Sequence, residues 1–203
     1  MKRIYWILAL SFFMLIPTTQ PEAVAQSARK EQVAKRRLAK RKVRRSTRRS
    51  VRRRVTRRAH VKYAALPRYG VRITTVPAGA VVIRHTGLTY YYHKGIFYSP
   101  NIDRFAVVKP AVGIRVSSLP AASIRIVVST GTYHYHYGTY YRKAGTYYEV
   151  VSAPNGAMVD AIPEGYDVVK QGGTEYYVWN QVHYQEVITD SFEGGVGYVV
   201  VES

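Results

Sequence analysis

The chain has 203 residues, with 31 Lys and Arg against 12 Asp and Glu, 19 Tyr and no Cys. That length admits one or two ordinary domains. The lack of cysteine excludes a disulfide scaffold, thiolate-built zinc sites and a lipid attached at a cysteine.

Residues 1–25 read as a secretory signal peptide. Lys2 and Arg3 give a positive start, Ile4 to Ile16 is an uncharged apolar run, and Pro17 ends it. Ala23-Val24-Ala25 supplies small residues for cleavage before Gln26. The run falls short of the ~20 residues a bilayer-spanning helix needs. No later stretch is long and apolar enough to span as a helix, so no transmembrane segment is expected after cleavage.

Residues 26–62 form the basic segment. Between 29 and 62 lie 18 of the 31 Lys and Arg, with Glu31 the sole acid, whereas 63–203 is nearly neutral. Val51 and Val55 sit one turn apart, as do Ala34 and Leu38, but no continuous apolar stripe results. The segment is expected to be disordered alone and helical when a polyanion neutralises it. Its candidate polyanion contacts are Arg36, Arg37, Lys40, Arg41, Lys42, Arg44, Arg45, Arg48, Arg49, Arg52, Arg53, Arg54, Arg57 and Arg58. Arginine predominates, and its planar fork suits phosphate. A solvated spacer is the competing reading.

Residues 63–203 are expected to be an all-β domain of three tandem repeats, about 70–112, 113–155 and 156–203. A phrase of Gly, alternating apolar residues and Pro returns every 43 residues: Gly70 to Pro77, Gly113 to Pro120, Gly156 to Pro163. A fixed period marks one supersecondary unit used repeatedly. Each repeat opens with this short Pro-ended strand, free to complete its own sheet or that of the repeat before it. A β-branched strand, a turn, a tyrosine strand, a second turn at Gly95 or Gly138, an aromatic strand and a closing valine strand follow. Short connections throughout predict antiparallel meander or barrel-like units. Three units are too few to close a propeller.

Most tyrosines fall in the paired aromatic strands. They are expected either to pack the core or to expose a stacking platform for glycan, for which Tyr91, Tyr135 and Tyr177 are the candidates. His134 and His136 share a strand face, but no third ligand recurs beside them, so no metal or other cofactor is implied. No catalytic constellation stands out.

The Tyr-rich repeats, with Pro77-Ala78-Gly79, Thr89-Tyr90-Tyr91-Tyr92 and Gly95-Ile96-Phe97-Tyr98, resemble a family of uncharacterised secreted proteins from Bacteroidetes-like Gram-negative bacteria. The resemblance covers roughly 70–203 and implies export, to the periplasm, the outer membrane or outside the cell, and no established activity. Three functions are weighed. The first is a non-enzymatic envelope module, tethered by its polycation to lipopolysaccharide, anionic lipid or acidic polysaccharide, with nucleic acid a non-specific alternative. The second is a glycan- or peptidoglycan-binding module, and the third a cell-wall enzyme. Oligomeric state is left open.

Overall fold

The computed structural model describes residues 26, 29–42, 55, 59 and 61–201. The proposed signal peptide lies outside the described residues apart from its flank at Gln26. The chain divides into two compact units, Met1–Ser50 and Val51–Ser203.

In the first unit, residues 29–42 form helix α1, and every residue of it is exposed. Ala, Leu, Lys, Arg and Gln are good helix formers, and Glu31 pairs with Lys35 one turn on, at 2.6 Å.

The second unit begins with a helical segment, α2, described at 55, 59 and 61–63. Val55, Ala59 and Tyr63 recur at a spacing of four, so they share one face, and all three are buried. The compact unit Val51–Ser203 thus takes in α2 together with the β repeats.

Fifteen strands follow, in three five-stranded antiparallel sheets. The first sheet contains β1 (Arg72–Ile73), β2 (Val81–His85), β3 (Leu88–His93), β4 (Ile96–Asn101) and β5 (Arg104–Val108). The second contains β6 (Arg115–Val116), β7 (Ile124–Val128), β8 (Gly131–His136), β9 (Thr139–Ala144) and β10 (Tyr147–Val151). The third contains β11 (Met158–Val159), β12 (Asp167–Gln171), β13 (Thr174–Trp179), β14 (Val182–Ile188) and β15 (Val196–Val201). The orders β1-β5-β4-β3-β2, β6-β10-β9-β8-β7 and β11-β15-β14-β13-β12 are the same topology three times. All strand pairs are antiparallel, as short connections require.

The Pro-ended strand completes the sheet of its own repeat. Gly70, Gly113 and Gly156 donate their backbone N–H to Val107, Val150 and Val200 at 2.8–2.9 Å. The valines donate back to Val71, Ile114 and Ala157. Each of these strands is two residues long and ends four residues before Pro77, Pro120 or Pro163.

The turn after each tyrosine strand is a two-residue connection with both residues at positive φ: Lys94-Gly95, Tyr137-Gly138 and Asn180-Gln181. Such turns match the twist of a hairpin. The third repeat departs from the period in one place, a longer β14 and a loop over 189–195.

The core is shared between repeats. One cluster joins Tyr133, Tyr135 and Tyr140 of the second repeat to Val159, Tyr177, Trp179 and Tyr198 of the third, with Val55 of α2 among them. Another joins Tyr90, Tyr92 and Phe97 of the first to Ile114, Tyr141 and Val150 of the second. No repeat has a closed core of its own, so the three are expected to fold cooperatively.

Candidate functional site

Two regions carry the candidate residues. The first is α1. Arg36, Arg37, Lys40, Arg41 and Lys42 stand on it in full contact with solvent. At 100° per residue, its eight Lys and Arg fall on all sides of the axis, and Val33 and Leu38 point in different directions. A helix that is polar all round has no face to insert into an acyl layer. What it offers is charge alone. Arg44, Arg45, Arg48, Arg49, Arg52, Arg53, Arg54, Arg57 and Arg58 lie outside the described residues. Among the described residues no helix is long and apolar enough to cross a membrane.

The second region is the row of tyrosine strands, where the structure corrects the expected platform. Tyr135 and Tyr177 are each 1 % exposed, so neither presents a ring face to a ligand. Tyr91 is half-buried, edge-on to Phe105 at 5.2 Å. Nor do the three form a row. Tyr91 pairs with Tyr98 and Tyr177 with Tyr184, the register held by His134 in the second repeat. Tyr135 is one residue out of that register, so it points to the opposite face. Of the described tyrosines only Tyr147 is exposed, at 49 %, and it lies on β10, outside the tyrosine strands.

What the buried rings do is join repeats. The Tyr92 hydroxyl donates to the Ser118 carbonyl, and the Tyr135 hydroxyl donates to the Ala161 carbonyl, each at 2.9 Å. Donors and acceptors are both 43 residues apart, so this is one joint made twice. The adjoining turn makes a second repeated contact. A Cβ on Gly95 would meet Pro120 and lie 2.5 Å from His136 Cδ2. A Cβ on Gly138 would lie 2.5 Å from Trp179 Cη2 and 2.9 Å from Pro163 Cγ. Both glycines carry φ near +80°. Only glycine combines that conformation with so close an approach. At the corresponding places the third repeat has Val178 and Gln181.

Burial sets the charge state of these groups. It pushes the hydroxyls of Tyr135, Tyr140 and Tyr141 well above the usual phenol range, and that of Tyr92 up to about 12. They remain neutral donors at physiological pH. His136 is buried at the first joint. Burial, aided by the Lys62 ammonium, pushes its imidazole down to about 4 from 6.5. The folded state therefore disfavours the imidazolium. The resulting stability is complete above about pH 6.5 and is lost as pH falls from there toward 4. An NMR titration of the six histidines is expected to show one, His136, with a midpoint near 4, and His136→Phe is expected to flatten this part of the stability curve. A midpoint near 6.5 at His136 would contradict the burial of the joint.

His134 packs edge-on against Tyr148 at 5.3 Å. Among the described residues no three His, Asp or Glu gather as a metal site. A cavity of about 390 Å³ lies where the repeats meet, lined by Lys109, Tyr140, Asn155, Gln181 and His183 among others. Lys109 lies 5.5 Å from the Trp179 ring centroid, and burial lowers its pKa. No carboxylate lines this cavity, so it provides no paired acids for glycoside hydrolysis.

The chain carries these features over one continuous match, residues 31–203, to the family of unknown function DUF6515. It belongs to that family. The DUF6515 match opens inside α1, so most of the basic helix and the whole β array fall within it. No curated protein and no solved structure matches the chain.

Proposed function

We propose that this is an exported, non-enzymatic protein of a Gram-negative envelope. Its β array serves as an interaction or structural module, and its polycationic segment attaches the array to an anionic surface: lipopolysaccharide, anionic lipid or acidic polysaccharide. The reading rests above all on α1, where eight cations are exposed on every side with no apolar stripe. The family match supports treating helix and array as parts of one device. Export rests on the Lys2-to-Ala25 pattern of the sequence. The burial of Tyr135 and Tyr177, two of the three candidate rings, favours this reading over the glycan-binding alternative.

The test is binding of the chain from Gln26 to Ser203 over a salt series, to vesicles of phosphatidylglycerol and to duplex DNA. Each phosphate neutralised contributes about −0.9 to the slope of log K against log salt on DNA. Charge-only binding vanishes at high salt. Binding to vesicles that persists in 1 M salt would show an apolar anchor instead. No binding even at low salt would leave the basic segment as a spacer.

A further inference from the structure

The joint between the second and third repeats has a groove, and α2 fills it. Val55 packs in one cluster with Ile126, Tyr135 and Val159. Lys62 pairs with the Asp160 carboxylate, and the Tyr63 hydroxyl donates to the Ala161 carbonyl at 3.0 Å. The joint between the first and second repeats has the same groove 43 residues earlier, lined by Ile83, Tyr92, Val116 and Ser117. There the cavity is open, at about 480 Å³. Val81, Val82 and Tyr147 also line it, and they are 57 %, 52 % and 49 % exposed. Exposed apolar side chains gathered on one groove mark an interaction surface.

We infer that this open groove is a docking site for an amphipathic helix of a partner protein, bound as α2 is bound next door. Its chemistry follows from the substitutions between the two grooves. The partner carries an apolar residue at the place of Val55, against Ile83, Tyr92 and Val116. The charge requirement is reversed. Where the filled groove has Asp160, and Met158 opposite Val199, the open one has Ser117, and Arg115 opposite Glu149, so one acid has gone and an ion pair with an exposed guanidinium has come. The Arg115 guanidinium, bound to Glu149 at 2.8 Å, remains 63 % exposed. An acidic side chain at the place of Lys62 accepts a hydrogen bond from Ser117 and faces Arg115. The same comparison disfavours a cation at the place of Lys62. This site is independent of the polycation reading, since none of the described residues of the basic segment lines it.

The test uses two synthetic peptides, the sequence of residues 51–65 and the same sequence with Lys62→Glu, titrated by fluorescence anisotropy against the full chain. The Lys62→Glu peptide is expected to bind at least tenfold more tightly than the native sequence. Ser117→Asp in the chain is expected to reverse that order, and Val82→Glu to weaken both peptides tenfold or more. Ser117 and Val82 are exposed, so both variants fold, which circular dichroism checks. Equal binding of the two peptides, binding unaffected by Val82→Glu, or no binding at 1 mM would each overturn the proposal. So would self-association of the chain that Val82→Glu abolishes, because the occupant would then be a second copy.

Discussion

Gly138→Ala is expected to lower the stability of the array by about 2–4 kcal/mol. Two costs add. The residue sits at φ +80°, where any side chain carries backbone strain of about 1 kcal/mol. The new methyl would also lie 2.5 Å from Trp179 Cη2 and 2.9 Å from Pro163 Cγ. The indole is rigid and 6 % exposed among the rings of the shared core, so relief requires the repeats to part. Overpacking of that kind costs about 1–3 kcal/mol. Gly79→Ala is the control, because Gly79 has φ +79° but open space where its Cβ would go. It is expected to lose only the backbone share. Gln181→Gly is the converse, since the exposed Gln181 stands at φ +66°. It is expected to be neutral or to gain a few tenths of a kcal/mol. Urea midpoints of the three variants read the comparison directly. If Gly138→Ala and Gly79→Ala fall within 0.5 kcal/mol of each other, the joint is not the close contact described.

The joint also shows what the sequence made legible. The 43-residue step predicts three copies of one sheet, and the strands follow that step from β1 to β14. The turns at Gly95 and Gly138 are readable as well. Less readable is why the third repeat breaks the pattern. Val178 and Gln181 look like decay of a motif when each repeat is read alone. Tyr92, Tyr135, Gly95 and Gly138 serve the repeat that follows each of them, a role that no repeat shows when read alone. The platform failed for a different reason. Composition locates aromatic strands but not which face is covered, and a one-residue difference in register sends Tyr135 to the side opposite Tyr91 and Tyr177. The open groove carried no local signal, since it exists only where two repeats meet.

Removing α2 is expected to have the other large effect. Its apolar face was hidden in the sequence because Val55, Ala59 and Tyr63 are separated by arginines, lysine and histidine, and because the spacing crosses the composition change at 62. Composition reported the charge, and the fold uses the three residues between the charges. Fully burying a residue of valine size gives about 1.5–3 kcal/mol. Tyr63 adds a buried ring, 4.7 Å from that of Tyr137, and a hydrogen bond to Ala161 worth about 1 kcal/mol. Some of this is lost to the entropy of ordering the helix. A chain of residues 64–203 is therefore expected to be about 2–5 kcal/mol less stable than one of 51–203, which should match the full chain. Val55→Asp should reproduce much of that loss by placing an unpaired carboxylate among Ile126, Tyr135 and Val159. A second readout separates undocking from general weakening. Lys62 is one of the groups that depress His136, and 64–203 lacks it. In 64–203 the His136 midpoint is expected to climb from about 4 toward 6.5 while the far-UV spectrum stays that of a β protein. An unchanged urea midpoint and an unchanged His136 titration in 64–203 would show that α2 rests on the array without supporting it.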